Sequence, residues 1–528
     1  MENLRRAVQV IVLVGFVYLF AMTIGSYDSV AKKTVLKSHG PVDLFFQFDP
    51  LLGLTAMLSA RQVIFEMLVC AVPVVILTIL AGRFFCGWLC PLGTVLDATD
   101  TLFFRKRRAK SQEHRARNIK YYVLAAVLIA AVFSTQAAYL LDPFGILTRA
   151  FTFAVFPVVQ FAARSLGGVE FVRDNAPYLA SSPFLPADVQ YFFRLNFLAA
   201  AMLVVVLALN SYSRRFWCRN LCPLGALLGL ISKFSIVRRV VKPECIKCSK
   251  CIPDCKMGAI SADPTSYDAP ECVYCYSCTS VCPALVTSIV PTLRSEGYHS
   301  ELNLSRRRTL QALGIGAAFA VLGKTNAAAK TSKNGRTLVS SATLIRPPGS
   351  VAEDEFTDRC VRCSECMKVC PTGGLQPALT EAGIAGLWTP VLVPRLGECA
   401  QNCNLCSQVC PSDAIQPFEI PEKSYIYIGR AVIDRSQCIA WNSEKKCLVC
   451  DEHCSYHALN WKEVDGVRRP FVDDNKCVGC GICENACPIQ PVAAIRAFSF
   501  GDRRHETREQ QRMFFEAGKK KQGPGAGG

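Results

Sequence analysis

Apolar positions run in long unbroken stretches through the first half of the chain and shrink to short islands between cysteines in the second. Four stretches, about 6–26, 63–84, 119–140 and 191–211, each approach the roughly 20 residues an α-helix needs to cross a bilayer. A fifth, 150–165, is shorter and carries Pro157, which predicts an interfacial or re-entrant helix instead of a further crossing. Loop charge gives the orientation. Arg5 and Arg6 precede the first stretch, and Arg105, Lys106, Arg107, Arg108, Lys110, Arg115 and Arg117 lie between the second and third. Basic loops stay on the cytoplasmic side, so 27–62 and 141–190 fall outside.

The second and fourth stretches run into nearly the same sequence, Arg-Phe-Phe-Cys-Gly-Trp-Leu-Cys-Pro-Leu-Gly at 83–93 and Arg-Phe-Trp-Cys-Arg-Asn-Leu-Cys-Pro-Leu-Gly at 215–225. This predicts a membrane bundle of four spans built from two copies of a helix pair. Each copy sets two thiols four residues apart, Cys86 with Cys90 and Cys218 with Cys222. On a continuous helix such thiols share a face, whereas Pro91 and Pro223 point to a break or a fresh helix start. The four thiols are either small packing residues in a tight turn or a redox or metal-binding quartet near the quinone headgroup zone. Cys70, alone within a stretch, reads as packing.

Composition sharpens this picture. Apolar residues make up 51% and charged residues 19%, with a mean hydropathy of +0.24, too greasy for a purely soluble chain. The net charge of +17 gathers beside apolar segments and not on an aromatic-interleaved face, which argues against nucleic-acid binding. There are 29 cysteines against 6 histidines, so the chemistry runs through sulfur.

Those cysteines fall into runs. Cys245, Cys248, Cys251, Cys255 and then Cys272, Cys275, Cys278, Cys282 repeat the C-x2-C-x2-C-x3-C spacing of bacterial ferredoxins, in which three thiolates of one run and the last of the other hold each 4Fe-4S cube. One cluster therefore takes Cys245, Cys248, Cys251 and Cys282, the other Cys272, Cys275, Cys278 and Cys255. A second set contains Cys360, Cys363, Cys366, Cys370; Cys399, Cys403, Cys406, Cys410; Cys438, Cys447, Cys450, Cys454; and Cys477, Cys480, Cys483, Cys487. Twenty-four ligands predict six 4Fe-4S clusters, and Cys70 with the two membrane pairs completes the count of 29. Structural zinc pairs two C-x-x-C hooks without the run-ending proline, and a disulfide scaffold does not explain tandem four-cysteine runs. His453 and His457 flank Cys454 and read as surface residues, with ligand replacement as the alternative.

Between the sets, Ser305-Arg306-Arg307-Arg308-Thr309-Leu310 precedes a short apolar stretch, the order of a twin-arginine export signal, with an anchor or buried helix as the alternative. Asn326-Ala327-Ala328-Ala329 suits a cleavage site. The expected organisation is a membrane domain at 1–243, a cytoplasmic dicluster ferredoxin module at 244–300, a signal or anchor with linker at 301–350, an exported four-cluster domain at 351–497 and a disordered tail at 498–528. The fold class is an α-helical membrane bundle followed by α+β ferredoxin-like modules. No histidine lies in a predicted span, which excludes bis-His haem b there, and no C-x-x-C-H, Walker or strand-linked G-x-G-x-x-G motif is present. Such a chain is an electron wire.

With these residues in view, 1 to about 290, including the paired Cys-x3-Cys-Pro motifs, resembles the membrane iron–sulfur subunit of the NapH type, a group related to NosR and CcoG. Residues 305–497, with the Ser-Arg-Arg start, Arg346-Pro347-Pro348-Gly349, Cys360-Val361-Arg362-Cys363 and Cys477-Val478-Gly479-Cys480, resemble the ferredoxin subunit of the NapG/MauM type. The resemblance implies a multi-pass protein of the bacterial inner membrane, with 244–300 cytoplasmic and 351–497 periplasmic. It implies oxidation of menaquinol or ubiquinol from the membrane quinone pool and electron delivery to a periplasmic reductase or multihaem cytochrome. It also implies that in the four-cluster domain the first run pairs with the fourth and the second with the third, setting Cys370 across from Cys487 and exchanging Cys410 with Cys454. The NosR/CcoG relation implies the alternative: an assembly factor whose thiol pairs handle copper.

Overall fold

The computed structural model describes the chain except for residues 24, 29–32, 37–43, 104–116, 168–190, 293–297, 300–303, 326–328, 332–336, 340–341, 380, 444, 501, 503 and 505–528. Arg105 to Arg115 of the basic loop, Asn326 to Ala328 of the expected cleavage site and the tail from 505 lie outside the described residues. The chain forms two compact units, one from 1–20, 44–151 and 197–321, the other from 21–43, 152–196 and 322–528.

The first unit is helical at its base. Its opening helix, Glu2–Met22, is long and apolar enough to cross a membrane, and by the same measure so is the helical run Pro143–Ala162, part of which lies in this unit. The other apolar helices are shorter: Pro50–Ala60, Phe65–Ala81, Ile119–Val132, Asn196–Ser211 and Pro223–Phe234. Two predicted spans thus end early at identifiable stops. Phe65–Ala81 ends where Gly82 turns to φ 62°, and Ile119–Val132 ends just before Ser134 at φ 54°. The expected short helix at 150–165 is part of a longer helical run. A π-helical turn at Phe151–Val155 joins Pro143–Ala150 to Phe156–Gly167, and this wider turn accommodates Pro157, which has no N–H to give and crowds the preceding turn.

A second repeat supports the first. Asp49-Pro50 and Asp142-Pro143 each open a helix, with proline at the first helical position. Asp49 accepts the Leu51 and Leu52 N–H groups at 2.8 and 3.1 Å, and Asp142 accepts that of Gly145 at 2.7 Å. Both side chains are fully buried and bonded to each other. Two carboxylates cannot bond without a shared proton, so burial and the facing acid push the Asp49 carboxyl well above its usual range.

On this helical base, Val237–Val241 pairs antiparallel with Thr287–Pro291, enclosing the short helices Cys251–Asp254 and Ser277–Ser280. Helix Arg306–Thr325 packs against Ile119–Val132 at Gly316, where a Cβ would stand 2.2 Å from Ile129 Cγ2 and 2.3 Å from the Ala126 carbonyl oxygen. Only glycine permits that approach.

The second unit is made of two-stranded antiparallel ribbons and one-turn helices. Leu375–Pro377 pairs with Pro390–Leu392, Arg430–Ile433 with Ile495–Phe498, and Leu459–Val464 with Val467–Val472. Its apolar clusters are small, such as Leu344, Ala378, Ala382 and Val391, and one of them includes the cysteines Cys477 and Cys487. Glu353, buried between Arg346 and Arg504, ties the start of the ferredoxin region to its end.

Candidate iron–sulfur centres

The loops around the cysteines share a backbone device. In the four runs of standard spacing, the residues just before and just after the second cysteine are left-handed: Lys247 and Ser249, Tyr274 and Tyr276, Arg362 and Ser364, Gly479 and Gly481. Alternation of right- and left-handed residues turns successive N–H groups into one concavity, which favours a negative guest. Six of these eight residues are not glycine, so six accept a conformation that costs energy in ordinary loops. The two runs with longer first gaps, from Cys399 and from Cys438, lack the pattern among the described residues. Sulfur acceptors also recur. Cys255, Cys410, Cys454 and Cys477 take N–H groups from Ala259, Ile415, Ala458 and Ala431 at 3.2 to 3.4 Å.

In the first unit, Cys255, Cys272, Cys275 and Cys278 line one cavity with Arg239, Met257, Tyr267 and Tyr276. This is the combination expected from the spacing, three thiols from one run and the last of the other. Cys245, Cys248 and Cys251 lie together, while Cys282 accepts backbone N–H groups including those of Val286 and Thr287. Arg239 approaches Cys251 Sγ at 3.8 Å, placing a cation beside both groups.

In the second unit, the pairing differs from the expected first-with-fourth arrangement. Cys370 lines a cavity with Cys399, Cys403 and Cys406, and Cys410 lies among Cys360, Cys363 and Cys366. Likewise Cys454 stands beside Cys477, Cys480 and Cys483, and Cys487 beside Cys438. Cys447 and Cys450 join that last group. The first run therefore exchanges its last cysteine with the second, and the third with the fourth. The reason is local: 28 residues separate Cys370 from Cys399, and the short ribbon Leu375–Pro377 with Pro390–Leu392 folds that segment back on itself.

The two halves also meet beside the thiol groups. Cys399 N–H donates to the Cys480 carbonyl oxygen at 2.9 Å, and the Arg395 guanidinium holds the carbonyls of Glu484, Cys487 and Ile489 at 2.7 to 2.9 Å. Tyr456 lies by Cys399, Cys454 and Cys480. The four groups thus follow an order in which the group of Cys399 neighbours that of Cys480. Lys423 sends its ammonium to the Ala400 and Cys403 carbonyls at 2.5 and 2.6 Å, directly behind the Cys399 group.

The thiols of the repeat at 83–93 and 215–225 also converge. Cys86 sits in the short helix Phe84–Trp88 and Cys218 in Phe216–Asn220, and each helix ends before the second cysteine. Cys90 and Cys222 donate their N–H groups to the Phe85 and Trp217 carbonyls, both at 3.0 Å, and new helices begin at Pro91 and Pro223. The break resolves the question of a continuous helix. Cys222 caps its helix by accepting Gly225 N–H at 3.3 Å. All four thiols feel one another, and burial raises Cys90, Cys218 and Cys222 above the usual thiol range.

Among the described residues, no three His, Cys, Asp or Glu side chains close in tightly enough to hold a single metal ion. The thiol groups surround wider spaces, and soft thiolate donors suit iron–sulfur clusters. Burial pushes the Cys410 thiol up to about 11 and Cys278, Cys450 and Cys480 up to about 12. Loading must therefore expel protons.

Comparison with known proteins agrees. The family profile of a 4Fe-4S binding domain matches residues 63–110 and 195–243, another of the same description matches 356–376, and a 4Fe-4S dicluster domain matches 445–490. The chain is 33% identical over 163 residues to the methylamine utilization ferredoxin-type protein MauM of Methylorubrum extorquens, covering 29% of this chain and 72% of that protein. It is 30% identical over 168 residues to the ferredoxin-type protein NapG of Escherichia coli, covering 30% and 72%. The chain belongs to this MauM and NapG ferredoxin-type family. A putative electron transport protein, YccM of Escherichia coli, is 26% identical over 269 residues, covering 48% of this chain and 64% of that protein. This is an iron–sulfur, ferredoxin-type electron-transfer protein.

As a ferredoxin-type chain, it owes much of its site to residues that cysteine counting passes over. Arg239 and Lys423 bring cations to the thiol groups, and Arg395 locks the two halves. Arg83 and Arg215 were visible as members of the repeat, with no signal of what they touch. His453 and His457 are exposed, and His453 Nδ1 lies 2.9 Å from the Val449 carbonyl. Cys70 contacts Gln47 Oε1 at 3.5 Å.

Proposed function

We propose that this chain is a membrane-bound relay that takes electrons from menaquinol or ubiquinol and delivers them to a periplasmic reductase or cytochrome. The observation that carries the reading is the continuity of thiol groups within each unit. Arg215 lies within electrostatic reach of both Cys218 of the membrane repeat and Cys275 of the dicluster module, and in the other unit four groups follow one another across the Cys399–Cys480 bond. Six 4Fe-4S clusters, held by the twenty-four cysteines from Cys245 to Cys487 in the pairings above, would supply one-electron carriers. The four apolar stretches would anchor the chain with the dicluster module cytoplasmic and the residues after about 350 periplasmic. The Gly316 contact supports a retained anchor at Arg306–Thr325.

Around these groups the protein's own residues control charge. Arg239 and Lys423 stabilise added negative charge, and the N–H groups directed at sulfur do the same. Anaerobic purification in detergent followed by EPR with a menaquinol analogue tests the reading. Reduction of the clusters by quinol is the expected result, and clusters that stay oxidised at saturating quinol defeat it. Copper retained by wild type and lost on Cys86→Ser with Cys218→Ser, with quinol ignored, would instead favour the copper-handling assembly factor.

A further inference from the structure

In three of the four runs of the second unit, the residue two places after the last cysteine carries a hydroxyl: Thr372 after Cys370, Ser412 after Cys410 and Tyr456 after Cys454. The first two stay with their own run. Thr372 Oγ1 lies 3.4 Å from Cys370 Sγ, and Ser412 Oγ lies 4.0 Å from Cys410 Sγ. Tyr456 is longer, and it belongs to the run in which Ser455 stands where the others have Pro371, Pro411 and Pro488. Left-handed His457 and the Ala458 N–H, bonded to Cys454 Sγ at 3.4 Å, close the backbone around that sulfur. The tyrosine side chain reaches beyond its own run, into the neighbourhood of Cys399 and Cys480.

That neighbourhood is where the two halves of the second unit meet. Beside the Cys399–Cys480 backbone bond, Gln401 Nε2 donates to the Ser455 carbonyl at 3.4 Å and Asn485 Nδ2 to the Pro394 carbonyl at 2.9 Å. Gly481 comes so close to Pro394 that a Cβ on it would stand 2.5 Å from the Pro394 Cβ. These backbone and amide groups find partners across the junction. Tyr456 Oη does not: it is buried, with no hydrogen-bond partner among the described residues. A buried hydroxyl without an acceptor is costly, and phenylalanine would fill the same space without that cost. A phenol keeps its proton at neutral pH, and burial here pushes its pKa up further, so Oη offers a donor. Three cysteines lie within its electrostatic reach, Cys480, Cys399 and Cys454, and the first and last of these belong to one group.

We infer that the Tyr456 hydroxyl donates a hydrogen bond to a sulfur of the centre held by Cys454, Cys477, Cys480 and Cys483, and so tunes that centre where it faces the Cys399 group. The inference rests on reading the chain as an iron–sulfur protein with the pairings above, and it is independent of quinol oxidation. An O–H directed at sulfur stabilises the reduced, more negative state. Lys423 brings a cation behind the Cys399 group in the same sense. Each side of the junction thus has its own donor, and the two levels are set separately.

The test is redox titration followed by EPR, with iron and sulfide counted, on full-length protein purified anaerobically in detergent. Tyr456→Phe keeps the ring and removes the hydroxyl. It should retain its iron and shift one centre to lower potential, by about tenfold in that centre's oxidised-to-reduced ratio at a fixed potential, or about 59 mV for one electron. In deuterated water, pulsed EPR of the same centre should lose one exchangeable deuteron coupling relative to wild type. Titrations and couplings that superimpose on wild type would overturn the inference. Lys423→Met should move a different centre, and the same centre moving in both variants would overturn the assignment to the Cys480 group. If Tyr456→Phe loses iron, 3-fluorotyrosine in place of Tyr456 decides. Its more acidic hydroxyl is a stronger donor in the same position, so the shift should be upward, and a downward or absent shift would overturn the proposal. Failure of the general iron–sulfur reading is distinguishable, because it would leave wild type itself without clusters.

Discussion

The quartet of Cys86, Cys90, Cys218 and Cys222 and the ferredoxin runs gather the same residue type by opposite routes. In the four runs of standard spacing, three of four ligands sit within seven residues, and left-handed pairs such as Arg362 and Ser364 shape the loop. In the quartet, Cys86 and Cys218 are 132 residues apart, and Arg215 of the second copy crosses to the Cys86 and Gly93 carbonyls of the first. A local site is held up by its guest, and a long-range site by its scaffold. The two regions should therefore fail differently.

The largest difference should appear on removing iron. The second unit has small apolar clusters, and Cys477 and Cys487 belong to one of them, so guest binding supplies much of its folding free energy. Anaerobic chelation is expected to unfold residues 344–500 and expose them to protease, while helices such as Phe65–Ala81 and Ile119–Val132 keep their circular dichroism in detergent. A protease-resistant 344–500 fragment in iron-free protein would break the comparison.

Charge removal should come next. Glu353 is buried between two guanidinium groups, and Glu353→Gln leaves Arg346 without this counter-charge and Arg504 with Asp502 alone, at about 3–5 kcal/mol. Denaturant titration of the iron-loaded protein measures this. Asp97→Asn is the matching change in the first unit, because Arg5, Arg215 and Lys256 all converge there. Its three cations hold the Asp97 carboxyl far below the usual range. That contribution is present above the unfolded carboxylate pKa and lost as pH falls through the folded value. Asp49 has the opposite sign. Its raised pKa makes a contribution that is complete below the unfolded value and lost as pH rises through the folded one. Asp49→Asn should flatten the alkaline side of the stability profile, since an amide donates to Asp142 without ionising, and an unchanged profile would remove the shared proton.

Legibility follows the same division. The cysteine runs, their spacing and the exchange of Cys255 in the first dicluster were open to sequence reading because each is a short-range pattern. The pairing in the second unit was not, since four runs allow several exchanges and only the folding back of 370–399 selects one. Helix lengths were misjudged where a single residue decides, as at Gly82 and Ser134, or where a π-turn admits Pro157. The Asp49 and Asp142 repeat escaped because two residues are too few to notice until they touch. The pairing can be checked by cycles: Cys410→Ala and Cys363→Ala together should lose no more iron than either alone, about four per chain. Cys410→Ala with Cys483→Ala should lose twice that. Additive loss in the first pair would restore the first-with-fourth arrangement.

The smallest expected effect is also the finest test of local against long-range control. Lys423 comes from outside the Cys399 run, yet its ammonium is bonded to the Ala400 and Cys403 carbonyls behind those thiols. A buried cation there stabilises the reduced, more negative state of whatever the thiols hold. Lys423→Met keeps much of the side-chain volume and removes the charge, so iron content should stay constant while one centre, the neighbour of the Cys480 group, titrates at lower potential. Because Cys399 N–H bonds Cys480 O, that downward shift raises a step between the two halves and should slow electron passage across the junction more than within either half. A shift spread evenly over all centres would mean that charge in this unit acts at long range, and the division between local and scaffold-built sites would no longer hold.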